Sequence, residues 1–389
     1  MRLIHTADWH LGRNLKGKDR TPEIEYALDE LLKQAKALEV DAVLVAGDIF
    51  ETPNPSVEAE RVAYQFFCNL QAAKIPAVAI AGNHDSAFRL DNVANLLSIA
   101  GVHVLGKPRI AEDGGVITLD TPSGKLRVGA MPFANERRLL DPDELWNKDD
   151  KEQRDTYREI VSYLLSDLTS AFKDDSVNIL MAHLTIDGAK LANSEKPHHS
   201  QGGYALFGQS LPPEAQYIAL GHIHKSQRIP VAAPTYYSGS LIQVDFGEAG
   251  EEKGFYLIEV EPGCPAKNPE FIPIPCRKPL KEVECNVREL EETLEEYRDY
   301  PGYLKAIVHI PTPQMGLADR IRKICDQVIC IESHYPKAES TVQESRNWEQ
   351  LDPVAEFRRY YQERLGTTPS PVVLSKFEEM YKEIQDASA

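Results

Sequence analysis

An apolar run, Val78-Ala79-Ile80, stops at Ala81-Gly82-Asn83-His84-Asp85, and a helix-like stretch from Phe88 to Ala100 follows. A strand thus ends in an amide, an imidazole and a carboxylate. In open α/β sheets the carboxyl ends of strands are where ligands bind. Gly82, lacking a Cβ, is expected to let the backbone turn tightly there. The constraint becomes severe because the pattern recurs four times. Leu3 to Ala7 runs into Asp8-Trp9-His10. Asp41 to Ala46, apolar enough for a strand buried on both faces, ends in Gly47-Asp48. Val177 to Ala182 ends in His183, and Tyr217 to Leu220 ends in Gly221-His222-Ile223-His224.

In extended chain, residues i and i+2 point to one side, so Asp8 with His10, or His222 with His224, can converge on one ion. A single histidine at a strand end is ordinarily structural. Seven ligand-type residues at five strand ends, namely Asp8, His10, Asp48, Asn83, His183, His222 and His224, point to a metal centre. Imidazole, carboxylate and amide oxygen together suit Mn, Fe or Zn rather than Mg alone. Seven ligands are too many for one ion. They suit two ions about 3.5–4 Å apart, which stabilise both ends of an in-line displacement at phosphorus. Asp48 is the natural bridge, because its two oxygens can touch both ions.

The remaining pattern supplies the scaffold. Pro22 opens a helix with Ile24, Leu28, Leu31, Leu32 and Ala35 on one face, and a second runs from Ser56 to Ala73. The order βαβαβ predicts a layered α/β fold. Short β runs lie between Val102 and Pro132, and a long polar helix spans Asp149 to Phe172. Strands at Tyr236 to Gln243 and Gly254 to Val260 are expected to complete a second, more antiparallel set. From about Cys276 a small α/β module begins, with helices near Val287 to Tyr297 and Leu317 to Val328 and strands at Tyr303 to Ile310 and Ile329 to Ser333. Gln343 to Asn347 reads as a linker, and two amphipathic helices, Pro353 to Leu365 and Pro371 to Gln385, end the chain. The expected domains are therefore 1–275, 276–342 and 343–389.

A chain of 389 residues has room for two or three such domains. The net charge of -17 argues against a broad nucleic-acid surface but leaves room for a local one. The loop from Arg13 to Arg20 carries four cations beside Asp8 and His10; Arg89, Arg137, Arg138 and Lys225 add to them. Arg13, Lys16, Arg20 and Arg89 are the expected contacts to substrate phosphate. Six cysteines without C-x-x-C spacing read as reduced thiols. With no signal-like or membrane-spanning run, a cytoplasmic protein is expected.

Asp8-Trp9-His10, Gly47-Asp48, Gly82-Asn83-His84-Asp85, His183 and Gly221-His222-Ile223-His224 resemble, in order, the five motifs of the calcineurin-like metallophosphoesterases. More narrowly, His5 to Gly12, Ala81 to Arg89, Ala182-His183-Leu184-Thr185 and Gly188-Ala189 are similar to the SbcD family of bacterial nuclease subunits. That family is related to the double-strand-break repair nuclease of archaea and eukaryotes. The resemblance implies a two-sheet sandwich flanked by helices and two Mn ions. One ion would be held by Asp8, His10, Asp48 and His224, the other by Asp48, Asn83, His183 and His222, with His84 as the catalytic histidine. It also implies endonuclease and 3′ to 5′ exonuclease activity on DNA ends and hairpins, in repair and recombination. A homodimer and a partner ATPase, SbcC, come with it. The module from Cys276 would face DNA, and the last two helices would dock on the SbcC coiled coil. The helix bearing Val62, Phe66, Phe67 and Leu70 would share its apolar face between its own sheet and the second copy.

His84 adjoins a ligand and is not itself needed for coordination, so it is the expected general acid for the leaving 3′ oxygen. Glu51 is the expected group that orients it, while Asp85 is expected to fix the turn. Two other readings remain: a phosphodiesterase or phosphatase of the same superfamily for smaller substrates, and a non-catalytic binding module on this fold.

Overall fold

A computed structural model describes residues 1–135, 139, 148–192, 204–312, 314–335, 352–365 and 368–387. Arg137, Arg138, His198, His199 and the linker at Gln343 to Asn347 lie outside the described residues.

The first sheet is built on β1 (Arg2–Thr6), and a two-strand ribbon follows it, β2 (Asn14–Leu15) and β3 (Lys18–Asp19). Helix α1 (Thr21–Ala37) leads to β4 (Ala42–Val45), α2 (Val57–Ala72) to β5 (Ala77–Ile80), and α3 (Ala87–Ile99) to β6 (Val102–Leu105). Pro22 sits in the first turn of α1, where a missing N–H costs nothing. Ser56 and Ser86 cap α2 and α3 by accepting from the backbone N–H of Ala59 and Arg89.

A hairpin of β7 (Val116–Thr121) and β8 (Gly124–Met131) precedes α4 (Asp150–Ser170). Next come β9 (Val177–His183), β10 (Tyr217–Gly221), β11 (Gln227–Ile229), β12 (Thr235–Tyr237), β13 (Gly254–Glu259) and β14 (Glu270–Pro273). The first sheet runs β14-β13-β1-β4-β5-β6 and the second β11-β12-β10-β9-β8-β7. β13 is antiparallel to β1 in the first sheet, and β12, β10, β9 and β8 are mutually parallel. Both points correct the expectation of an antiparallel second set. The expected strand to Gln243 also stops at Tyr237, because Gly239 (φ +75°) turns the chain under His224.

Leu3, Leu44, Val78 and Ile80 of one sheet share a core with Val128, Ile179 and Tyr217 of the other. A second core joins the first sheet to α1–α3. A third joins the second sheet to α4. Every residue of β4 and β5 is buried, as strands covered on both faces require. Val62, Phe66, Phe67 and Leu70 of α2 all lie inside the chain's own core, not shared with an outer surface. The exposed apolar side chains of these helices are Val57 of α2 and Phe88, Leu96 and Ile99 of α3.

A three-stranded parallel sheet follows, β15 (Leu280–Asn286), β16 (Tyr303–His309) and β17 (Val328–His334), with α5 (Leu290–Glu295) and α6 (Leu317–Ile324). It has its own core around Leu290, Leu304, Val308 and Ile321. The chain divides at His334, and residues 335–389 form a second compact unit. Within that unit α7 (Pro353–Leu365) and α8 (Pro371–Ala387) pair, with the rings of Phe357 and Phe377 stacked 4.2 Å apart. No helix among the described residues is long and apolar enough to cross a membrane.

Candidate metal centre

The two sheets open at one shared edge, and the loops there stay tied after the strands end. Asp8 N–H donates to Gly47 O, His10 N–H to Asp48 O and Leu11 N–H to Ile49 O, each at 3.0 Å. Asp85 fixes the next loop by accepting from the N–H groups of Ile49, Phe50 and Gly82 at 2.8–3.1 Å. Burial and the neighbouring Asp48 push its carboxyl up to about 6. Gly82 is needed for close approach rather than for a special turn: a Cβ there would lie 2.1 Å from Asp48 Oδ1. Asp8, His10, Asp48 and His222 all have positive φ, half of the eight such non-glycine residues described. Backbone strain of this kind concentrates where a site demands it.

All seven candidate ligands come together. Asp8, His10 and His224 place ligand atoms within 4.8 Å of one another, as do Asp48, His183 and His222; His10, Asp48 and His84 form a third such group. Asn83 Oδ1 lies 2.7 Å from His222 Nδ1 and 3.0 Å from His183 Nε2. Only one oxygen of Asp48 looks inward. Oδ1 accepts the backbone N–H of His84 at 2.8 Å, while Oδ2 lies 3.4 Å from His183 Nε2 and 3.9 Å from His10 Nε2. Oδ2 is thus the Asp48 oxygen that would face an ion, while Oδ1 is taken up by the His84 backbone.

The hydrogen bonds on the outer side of each ring decide what its inner nitrogen can be. His183 Nδ1 contacts Ala46 O at 2.7 Å; a carbonyl only accepts, so Nδ1 carries a proton and Nε2 is the nitrogen left to take an ion or a second proton. That nitrogen faces Asn83 Oδ1 and Asp48 Oδ2. His224 Nδ1 donates to Glu248 at 2.9 Å, which leaves its Nε2 facing His10 Nε2 at 3.0 Å. His10 Nδ1 lies 2.9 Å from Glu51 Oε2, poorly aligned for a hydrogen bond but close to its charge. With neutral rings, lone pairs would point at lone pairs in a buried site, a repulsion that a proton or a cation on the inner nitrogens relieves. Burial alone would discharge His183, but in a site without cations Asp48 and Asp8 outweigh it and push the ring up to about 9. The residues fit two ions.

Glu248 is a participant that the sequence did not disclose. Fully buried, it accepts from His224, from Ser240 Oγ and from Val244 N–H, and pairs with Lys253 at 2.7 Å. Burial opposes its charge, yet Lys253 and His224 hold it well below the usual carboxylate range. A carboxylate behind a ligating histidine fixes the ring's tautomer. Its place 24 residues after His224, in a single 3-10 turn (Phe246–Glu248), left no spacing to read.

Several expectations change. The His84 ring is oriented by the main-chain carbonyl of Glu51, at 2.8 Å, and not by its carboxylate. That carboxylate lies on His10 and Arg13; burial opposes its charge, but His10 outweighs it and it is held down to about 2. Arg20 is fully buried, paired with Glu23 at 2.6 Å and bonded to Gln243 O, so it cannot meet a phosphate. Arg13 is held by Glu51 and Asp245, Arg89 by Glu60, and Lys225 by Glu251. Lys16 is exposed in the ribbon's turn.

Residues 1–226 match the family described as calcineurin-like phosphoesterase, and residues 276–364 match the type 5 capsule protein repressor C-terminal domain. The chain is similar to the SbcD subunit of nuclease SbcCD from Bacillus subtilis (strain 168), 32% identical over 400 residues, covering 100% of both chains. It is similar at 32% identity to the SbcD subunit of nuclease SbcCD from Escherichia coli (strain K12), over 77% of this chain and 74% of that one. Among solved structures, a dimetal phosphatase from Danio rerio aligns with TM-score 0.42 and 13% identity, over 67% of this chain and 92% of that one.

Proposed function

Since the chain belongs to the calcineurin-like phosphoesterases and, over its full length, to the SbcD family of SbcCD nuclease subunits, we propose that it is the DNA-cleaving subunit of such a complex. It acts as an endonuclease and a 3′ to 5′ exonuclease on DNA ends and hairpins. The observation that carries this reading is the convergence of all seven ligand-type residues, with His10 facing His224 and His183 facing Asn83 and Asp48. Asp8, His10, Asp48 and His224 would hold one ion and Asp48, Asn83, His183 and His222 the other, and Mn suits this donor set. The chemistry such a pair supplies is charge withdrawal at phosphorus and activation of water at neutral pH.

The chain's own groups do the rest. His84 donates its Nδ1–H to Glu51 O, which leaves Nε2 as the atom that exchanges a proton with the leaving oxygen. Asp48 accepts the His84 backbone N–H, so ring and bridging carboxylate are placed together. Glu248 and the Ala46 carbonyl fix the tautomers of His224 and His183.

The domains divide at 1–275, 276–342 and 343–389: a nuclease domain, a DNA-facing module and a partner-binding helical pair. The partner is an SbcC-type ATPase, and exposed Leu96 and Ile99 support pairing with a second copy. The test is Mn-dependent cleavage of oligonucleotides beside hydrolysis of bis-p-nitrophenyl phosphate. Cleavage of both is expected; hydrolysis of the small ester alone would make the protein a small-substrate phosphodiesterase.

A further inference from the structure

A cavity of about 380 Å³ adjoins the metal centre and shares Gly82, Asn83 and Asp85 with it. Whatever binds at Asn83 therefore continues into this space. Phe88 and Phe133 form two of its walls, and Lys107 and Asn135 also line it. Phe133 is held against a candidate ligand, its ring 6.0 Å from that of His222 and inclined by 25°. Phe88, in the first turn of α3, is 55% exposed although apolar, and Lys107 Nζ lies 3.7 Å from its ring centre.

Phosphodiester chemistry at the ions requires none of these groups. An aromatic wall and a flexible ammonium, side by side, are what a neighbouring nucleotide requires. Bases of any sequence stack on aromatic rings, and phosphates pair with cations. The flexible stem of a lysine lets its head leave the ring for a phosphate. The volume falls at the small end of ligand sites, suited to one nucleoside rather than a duplex.

We propose that this cavity is the subsite for the nucleotide next to the scissile phosphate, with the base against Phe88 and Phe133 and its outer phosphate on Lys107. The proposal rests on the nuclease reading. It assigns to Phe88 and Lys107 a part in holding substrate, not in the chemical step.

The test uses the full chain with Mn and single-stranded oligonucleotides in which one abasic residue is moved stepwise past the cleaved bond. In the wild type, cleavage should fall about tenfold when the abasic residue occupies one position adjoining the scissile phosphate. Phe88→Ala should cleave intact DNA more slowly by a similar factor and show no further loss at that position. Phe88→Leu, which keeps the bulk and loses the aromatic face, should behave like it. Lys107→Ala should raise KM and reduce the salt slope of binding by about one. A wild type indifferent to the abasic position, or a Phe88→Leu variant with the full abasic penalty, would overturn the subsite while leaving the nuclease reading intact. A wild type that hydrolyses bis-p-nitrophenyl phosphate and cleaves no oligonucleotide would overturn both.

Discussion

Glu51 serves two neighbours with different atoms: its carbonyl accepts the His84 ring N–H and its carboxylate lies on His10 and Arg13. This separates two effects that a single substitution would otherwise confuse. Glu51→Gln keeps the carbonyl that orients the His84 ring, so the rate at saturating metal should hold while metal affinity falls. Glu248→Gln, which weakens the support behind His224, should also lower metal affinity, by roughly 10–100-fold. Metal titration followed by calorimetry checks both; a Glu51→Gln variant with wild-type affinity and a much lower rate at saturating metal would restore the carboxylate as the group that orients His84. His84→Ser should retain both ions and lose roughly 10²–10⁴ in rate. Anomalous diffraction showing an emptied site would make His84 a ligand. The chemistry-bearing residues are legible in the sequence because each sits where an apolar run ends. Their partners are not: Glu248, Ala46 O and Glu51 O lie far off in sequence or on the backbone, where residue type carries no information.

At the scale of elements, β1 carries a histidine of a different kind. His5 lies in the strand interior, accepts from Tyr217 O–H at 3.0 Å and donates to Leu220 O at 3.1 Å. Burial pushes its pKa from 6.5 down to about 3, against the opposing pull of the Leu220 carbonyl. Between those values the unfolded chain binds the extra proton, so this ring's contribution to stability is full above about pH 6.5 and is lost as pH falls towards 3. The slope reaches ~1.4 kcal/mol per pH unit. His5→Gln should shrink the difference in denaturant stability between pH 7 and pH 5; an equal loss in both proteins would refute the assignment. Helices and buried strands follow from periodicity, and their ends fall within a few residues of the expected ones. What periodicity cannot supply is partnership. Gly254–Glu259 reads as one more strand of a second set, yet it pairs with β1 through the register Arg2↔Glu259 to His5↔Tyr256. Likewise β15 escapes a reading by apolar runs, because charged residues alternate along its open face.

Across the whole molecule, the charge of -17 stands beside the nuclease reading. Near the centre, Arg13, Arg20, Arg89 and Lys225 are paired with carboxylates, so on the proposed reading much of the DNA affinity would have to come from a partner. The helices α7 and α8, with Phe357 stacked on Phe377, belong to a compact unit of their own. Cutting after residue 347 should leave Mn-dependent cleavage of single strands near the full-length rate and abolish co-purification with the SbcC-type partner. Loss of the intrinsic nuclease instead would place the helical pair in the catalytic fold. On the proposed reading, cleavage of DNA depends on Asp48, whose Oδ2 faces both His183 and His10 and would serve both ions. That central claim is tested most directly by measuring Mn-dependent oligonucleotide cleavage by a purified Asp48→Ala variant beside the wild type. The expected result is no cleavage above background by the variant; cleavage surviving at more than a trace would contradict the bridging role and the two-ion account built on it.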